Sequence, residues 1–207
     1  MKVFLALIIA LFLFTSQRAV FSTPQEVVVL AHGYDVLRNG DGTSAWVDYK
    51  VWLEQAGYKV VVLDFTNNNV YHNAIQVQAA VNAVPSATPV HLIGHSMGGL
   101  SARYCVKYLQ GCNRVESYSS LDTPQQGAWI FCWNLDNDGG LMCPWKWLVT
   151  ALNAGDDTPG ITRYYQYNIS AGMPMDGGVT FIPITGDHSL IVHDFNLFNL
   201  VLSNISR

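Results

Sequence analysis

The chain has 207 residues and a formal net charge of −4, and half of its residues are apolar while 13% are charged. It carries no basic patch, so nucleic acid is not expected as a partner. No linker, charged block or repeat divides the chain after its first segment, and its length suits one domain with a large core.

The first segment has the order of residues that is typical of a secretory signal. Lys2 precedes an unbroken apolar run over 3–14, and polar and small residues follow. Such a run is too short to cross a bilayer comfortably, so we expect no transmembrane segment. We therefore expect residues 1–22 to be a signal peptide, the protein to be secreted, and residues 23–207 to form the domain. An uncleaved anchor or a buried first helix is the alternative.

Apolar runs rich in β-branched residues alternate with segments of helical spacing along the domain. The runs predict strands at 26–31, 59–64, 90–93, 115–121, 163–170 and 179–185, and the spacing predicts helices at 46–56, 74–84, 97–110 and 195–205. Thr43 or Ser44 can cap the first of these helices. This alternation predicts an α/β fold with a mostly parallel sheet of about six strands and helices on both faces.

The pattern Gly94-His95-Ser96-Met97-Gly98 stands between a predicted strand and a predicted helix. It is a G-x-S-x-G nucleophile elbow, in which a sharp turn exposes the serine in a strained conformation. The flanking glycines have no Cβ that could clash with the strand and the helix. The pattern predicts that Ser96 is a nucleophile, and the alternative is a plain glycine-rich turn.

Three segments resemble a known group of enzymes: VVLAHGY at 28–34, GHSMGG at 94–99 and GDHSL at 186–190. They look like the compact secreted lipases of the α/β-hydrolase superfamily, and the nearest type is the lipase A-like enzymes of bacilli. The stretch RYCVKYLQGCNRV after the elbow is also similar to that group. The resemblance implies a minimal α/β-hydrolase fold for residues 23–207, with a serine nucleophile.

A serine hydroxyl is a poor nucleophile until a base takes its proton, so a histidine must lie within hydrogen-bond reach of Ser96. In this fold the catalytic residues follow the chain order serine, acid, histidine. Of the six histidines, only His188 and His193 follow the elbow. His188 comes directly after the last predicted strand and is the predicted base, with a surface-loop histidine as the alternative.

Three aspartates compete for the position of the acid, which orients the histidine and stabilises its charged form. Asp176 is our first choice, because the loop after the penultimate strand is the usual acid position and its D-G-x-V sequence resembles acid turns of related lipases. Asp122 is the rival, since it ends the strand after the elbow, a position used by pancreatic-type lipases. Asp187 comes third, because it is adjacent to His188 in the chain and neighbouring side chains rarely point at each other.

Two backbone N–H groups are expected to stabilise the oxyanion of the reaction. One belongs to Met97, immediately after the nucleophile, and the resemblance assigns the other to Tyr34, immediately after His32-Gly33. His32 is expected to hold this loop rather than to take a proton.

Four cysteines follow the predicted signal, namely Cys105, Cys112, Cys132 and Cys143. In an oxidising compartment they suggest two disulfides, for which three pairings exist. We favour Cys105–Cys112 and Cys132–Cys143, since each pair closes a short loop.

An irregular insertion at about 127–160 interrupts the alternation of strands and helices. It holds four of the six tryptophans: Trp129, Trp133, Trp145 and Trp147. One interpretation is a disulfide-stapled cap that contacts an acyl chain or a lipid surface. The other is that these aromatic side chains simply cover the edge of the sheet.

These features predict a secreted serine hydrolase that cleaves carboxylic esters through an acyl-enzyme on Ser96, with triacylglycerol as the first choice of substrate. A short-chain carboxylesterase, a phospholipase or an acyltransferase are alternatives, because cap shape and water access distinguish them. A non-catalytic binding protein of the same fold is a further alternative, although it would not need Ser96, His188 and the loop glycines.

The expected partners are an acylglycerol or another ester, and a lipid–water interface, with the protein itself a monomer. No cofactor and no metal are expected. Asp136-Asn137-Asp138-Gly139 offers too few ligands at the right spacing for calcium.

Overall fold

The structure, a computed structural model, describes residues 25–34, 42–133, 139–169 and 174–207. The predicted signal peptide over 1–22 lies outside the described residues. None of the helices within the described part of the chain has the length and apolar content needed to span a bilayer.

One parallel sheet organises the molecule. The described residues form the strands β1 (Val27–Ala31), β2 (Lys59–Leu63), β3 (Val90–His95), β4 (Ser117–Leu121), β5 (Arg163–Asn168) and β6 (Val179–Pro183). They pair in the order β2-β1-β3-β4-β5-β6, and every pairing is parallel. The predicted α/β class and the predicted number of strands are confirmed.

Helices flank the sheet on both sides. They are α1 (Gly42–Ala45), α2 (Val47–Gln55), α3 (Val70–Asn82), α4 (Met97–Tyr108), α5 (Trp147–Leu152) and α6 (Phe195–Ile205). The last helix has the predicted bounds. Helix α3 begins earlier than predicted because the side chain of Asn69 accepts hydrogen bonds from the N–H groups of Tyr71 and His72 and so caps the helix.

The start of the first long helix differs from the prediction. Helix α2 begins at Val47, and its N-cap residue Trp46 makes no side-chain capping bond. Thr43, one of the two predicted caps, instead donates its N–H to Asp64 Oδ1 at 3.1 Å. Capping chemistry was therefore a poor guide to where this helix begins.

Alternate residues of β1 enter two separate apolar layers, as the pleat of a strand requires. Val27 and Val29 pack in the layer that holds residues of α3 and α4. Val28 and Leu30 pack in the opposite layer, with residues of α2 and α6. Burial on both faces explains why the central strands read as continuous apolar runs rather than alternating ones.

The strand registers bring the functional loops to one edge of the sheet. Ala31 is aligned with Gly94, His95 with Leu121, and Leu121 with Tyr167. Because all strands run in the same direction, the residues that follow them emerge together at the carboxyl edge. The residues just after the strands are therefore the candidates for a functional site.

The insertion after β4 is built from short helical turns. Turns at Trp129–Trp133 and Gly139–Met142 precede α5, and a disulfide joins Cys132 to Cys143. A second disulfide, Cys105–Cys112, links α4 to the turn that follows it. Both predicted pairings are confirmed.

A third apolar cluster attaches the insertion to the body of the protein. It joins Met97 and Leu100 of α4 to Met142, Leu148 and Leu152 of the insertion. The insertion therefore lies beside the start of α4, which is also where Ser96 is found.

Candidate active site

Ser96 occupies the sharp turn between β3 and α4. Its backbone has φ 54° and ψ −126°, and a positive φ is costly for a residue with a side chain. A Cβ on Gly94 would lie 2.5 Å from Gly99 Cα, so the strand and the helix can approach this closely only with a glycine at position 94. The serine is thus held at the carboxyl edge by the packing around it.

His188 lies on the loop that follows β6 and faces the serine. Its Nε2 is 3.0 Å from Ser96 Oγ, within hydrogen-bond reach. About half of the histidine side chain is exposed, 51%, which leaves room for a substrate beside it. The structure places the predicted base beside the predicted nucleophile.

Asp122 is the carboxylate that contacts the histidine. Its Oδ2 lies 2.6 Å from His188 Nδ1, and its Oδ1 accepts the Ile169 N–H at 3.0 Å. Burial on its own would raise the pKa of Asp122, but the bonds from His188 and Ile169 outweigh it and hold that pKa below its usual value. Asp122 also has a positive φ, 43°. Among the described residues other than glycine, only Asp122 and Ser96 have a positive φ.

Our first choice for the acid, Asp176, is corrected by this geometry. It lies just before β6, whereas Ser96, Asp122 and His188 follow strands. In a parallel sheet, residues before a strand lie at the amino edge, opposite the candidate site. The Asp176 N–H donates to Asp157 Oδ2 at 3.0 Å, and Asp157 belongs to the connection that leads into β5.

The third candidate, Asp187, is exposed and turned toward its own loop. Its Oδ1 accepts the N–H and the hydroxyl of Ser189 at 2.9 and 2.6 Å. These bonds lower the pKa of Asp187. They stabilise the turn that contains His188.

The two predicted oxyanion donors, Met97 and Tyr34, belong to two segments that adjoin the serine. Met97 is the first residue of α4, and N–H groups in the first turn of a helix have no acceptor within the helix. The loop with Tyr34 runs against the nucleophile, because a Cβ on Gly33 would lie 2.9 Å from Ser96 Cβ. The start of α4 and the loop with Tyr34 therefore both adjoin Ser96.

His32 braces this loop, as expected. Its ring accepts the Phe65 N–H at Nε2, 2.9 Å away, so the ring proton is on Nδ1 in the neutral form. Nδ1 lies 2.9 Å from the Gly33 carbonyl oxygen and donates to it. That carbonyl and the Tyr34 N–H belong to one planar peptide unit, so this bond also orients the N–H.

A cleft of about 370 Å³ opens at Ser96, His188 and Asp122. Its lining includes the polar residues Ser96, Asp122, Asn168 and His188, and its apolar wall includes Pro124, Ala128, Ile130 and Phe131. Asn168 was not predicted as a site residue, although its place at the end of β5 is a signal that could have found it. Such a cleft suits a substrate with a polar reacting centre and an apolar tail.

Beyond the cleft, the insertion presents a group of exposed apolar side chains that we call the aromatic patch. Its members are Trp129 at 67% exposure, Ile130 at 77%, Trp133 at 87%, Trp145 at 58% and Trp147 at 54%. The larger part of each side chain faces solvent, so covering the sheet edge is not the main role of these residues. Ile130 belongs to both the patch and the cleft wall, which makes the two surfaces continuous.

Within the described residues, no group of three or more histidine, cysteine or acidic side chains is placed to hold a metal ion. Residues 134–138, which include most of the acidic sequence considered for calcium, lie outside the described residues.

No protein-family model matches the chain, and no curated protein matches it. Its fold is nevertheless similar to that of the mature form of lipase BlEst2 from Bacillus licheniformis, with a TM-score of 0.71 and 14% identity over 89% of this chain and 93% of that one. Tomato methylketone synthase I, complexed with 2-tridecanone, gives a TM-score of 0.60 and 13% identity over 88% and 98% of the two chains. An Arabidopsis methylesterase has a similar fold, with a TM-score of 0.53 and 15% identity over 87% of this chain and 99% of that one. These similarities confirm the α/β-hydrolase fold.

Proposed function

We propose that this protein is a serine hydrolase that cleaves carboxylic esters, with Ser96 as nucleophile, His188 as base and Asp122 as acid. The observation that carries the proposal is the continuous contact from Ser96 Oγ to His188 and on to Asp122, at the mouth of a cleft with an apolar wall. The lipases and esterases of similar fold support the same class of reaction.

Each proposed step follows from this contact. His188 Nε2 takes the proton of Ser96 as Oγ attacks the ester carbonyl, and Asp122 stabilises the resulting imidazolium. The N–H groups of Met97 and Tyr34 hold the oxyanion, where the loss of one donor typically costs roughly 10²–10³-fold in rate. The imidazolium then protonates the leaving alcohol, and an acyl-enzyme forms on Ser96.

Water completes the cycle. His188 takes a proton from a water molecule that attacks the acyl-enzyme carbonyl, and then returns this proton to Ser96 as the carboxylic acid leaves. The proton thus moves only between the substrate oxygens, water, Ser96 and His188, and the cycle needs no cofactor.

We further propose that the substrates are acylglycerols, cleaved by a secreted monomer at a lipid–water interface. The apolar cleft wall offers a place for an acyl chain, and the aromatic patch that continues from it offers tryptophans, which favour such interfaces. The apolar run after Lys2 and the two disulfides support secretion.

Labelling with a fluorophosphonate probe tests the serine hydrolase proposal directly. We expect labelling of the wild-type protein and none of Ser96→Ala, because only an activated serine reacts rapidly with such a probe. Ser203→Ala, which changes an exposed serine on α6, is the matched control and should be labelled like wild type. Equal labelling of wild type and Ser96→Ala would show that a residue other than Ser96 is the nucleophile, and no labelling of either would favour a non-catalytic binding protein.

A second experiment separates the substrate classes. Hydrolysis is compared across nitrophenyl esters of increasing chain length, emulsified triacylglycerol and phospholipid, in wild type and in Trp133→Ala. A lipase should prefer long chains, and Trp133→Ala should lower turnover of the emulsion while leaving a soluble acetate ester unaffected. Leu200→Ala, another exposed apolar side chain, is the control. A steep preference for acetate would instead indicate a short-chain esterase.

A further inference from the structure

His95 connects the strand that carries the nucleophile to the loop that carries the base. It is the last residue of β3, and its Nε2 lies 2.8 Å from the main-chain oxygen of His188. A carbonyl oxygen can only accept, so Nε2 donates the proton of this bond. The side chain next to the nucleophile thus holds the backbone of the histidine that contacts it.

The opposite edge of the same ring touches the loop of the predicted oxyanion donor. A Cβ on Gly33 would lie 3.2 Å from His95 Nδ1, so the ring packs directly against the glycine. The ring centroids of His95 and His188 are 4.7 Å apart. His95 therefore lies between the two loops that must keep a constant position relative to Ser96.

The charge state of His95 suits this location. Burial lowers its pKa to about 4, and the positive charge of a protonated His188 acts in the same direction. Near neutral pH the ring is uncharged, with the proton on Nε2. It therefore donates to the His188 carbonyl without placing a second positive charge beside the imidazolium that forms during the reaction.

We propose that His95 is a positioning residue, which holds the main chain of His188 so that Nε2 of the base stays aligned with Ser96 Oγ. This inference rests on the proposed hydrolase function and adds a residue that the mechanism above does not use. A misplacement of about 1 Å can cost on the order of 10²-fold in rate, so one hydrogen bond at this point has a large effect.

Two substitutions separate positioning from simple packing. His95→Leu fills the space but cannot donate, whereas the amide nitrogen of His95→Gln can reach the place of the imidazole Nε2. We expect His95→Leu to lower kcat by roughly 10- to 100-fold with KM changed by less than about threefold, and His95→Gln to recover kcat to within about fivefold of wild type.

His91→Leu is the matched control. His91 is a buried histidine on the same strand, and its ring nitrogens contact Ser117 and Glu26 rather than either loop. We expect His91→Leu to lower Tm while leaving kcat near the wild-type value. A wild-type kcat for His95→Leu, or a His95→Gln variant as slow as His95→Leu, would overturn the inference.

A measurement that needs no catalysis keeps the two proposals apart. In Ser96→Ala protein near pH 7, long-range ¹H–¹⁵N correlations of the imidazole rings show which nitrogen of His95 is protonated. We expect the proton on Nε2, and a proton on Nδ1 would contradict the bond to His188 whether or not His95→Leu folds. If wild-type protein shows no Ser96-dependent labelling, the hydrolase function fails, and the positioning role fails with it even where the tautomer is as expected.

Discussion

The carboxylate of Asp122 lies 2.6 Å from Nδ1 of His188, although 66 residues separate the two in the chain. Asp122 follows β4 and His188 follows β6, and β5 lies between these strands in the sheet. The Ile169 N–H, at the end of β5, donates to the same carboxylate. Three neighbouring strand ends therefore position the carboxylate of Asp122 relative to the imidazole of His188.

This arrangement predicts that Asp122 and Asp176 differ greatly in importance. In Asp122→Asn the side chain no longer stabilises the imidazolium, and an amide in place of this carboxylate favours the wrong tautomer of the histidine. We expect kcat to fall by about 10³–10⁴-fold. Asp176→Asn, which lies at the amino edge of the sheet, should retain kcat within about twofold. Steady-state hydrolysis of a nitrophenyl ester measures both, and the reverse ranking would contradict the assignment.

Gly33→Ala should impair catalysis without unfolding the protein. Its new Cβ would lie 2.9 Å from Ser96 Cβ and 3.2 Å from His95 Nδ1, so the loop with Tyr34 must shift away from the oxyanion. We expect kcat to fall by at least about tenfold, as for partial loss of an oxyanion donor. Gly178→Ala is the control, because its Cβ meets Thr158 Oγ1 at an ordinary 3.5 Å. Circular dichroism should confirm that both variants fold, and an unchanged kcat for Gly33→Ala would refute the placement of the loop.

The two disulfides should make different contributions. Each closes a short loop, with separations of 7 and 11 residues, for which chain entropy predicts about 2–3 kcal/mol of stability. Cys105 and Cys112 are fully buried in the core, so replacing both by serine should lower Tm strongly. Replacing Cys132 and Cys143 loosens the insertion, and should reduce turnover of long-chain esters more than that of acetate. Equal effects of both double variants on chain-length preference would argue against the insertion as an acyl-chain wall.

Acid should destabilise the protein partly through His95 and His91, whose pKa values are lowered in the folded state. Burial lowers the pKa of His95 from 6.5 to about 4, and it also lowers the pKa of His91 against the opposing effect of Glu26. As pH falls from 6.5 towards 4, the unfolded chain binds protons that the folded chain does not, so the free energy of unfolding decreases. His95→Gln removes one of these groups. Its Tm should therefore fall less than that of wild type between pH 7 and about pH 5, and parallel falls would contradict the lowered pKa.

The parts of the site that depend on neighbours in the chain could be predicted. The elbow at Ser96 needs only a strand, glycines and a helix in succession, and the structure has this order. His188 was indicated by its place directly after the last strand, and the structure brings it to Ser96. The disulfide pairs followed from their short separations.

The roles of residues that depend on contacts across the sheet could not be predicted from neighbours in the chain. His95 received no role, because nothing in the pattern shows that its ring meets the His188 carbonyl. Asn168 received no role: its place at the end of β5 made it one of several residues at strand ends, and only the register of β5 shows that it lines the cleft. The exposure of the tryptophans in the insertion likewise depends on how its turns pack.

The acid shows the difference most clearly. Hydrophobic period, turn residues and the elbow were enough to predict the class of fold and the candidate nucleophile. They ranked Asp176 above Asp122, because they did not show where Asp176 lies along the connection between β5 and β6, which travels from one edge of the sheet to the other. Asp176 comes at the end of that passage, beside Asp157, whereas Asp122 emerges directly at the carboxyl edge. Only the direction and alignment of the strands place one carboxylate against His188 and the other at the opposite edge.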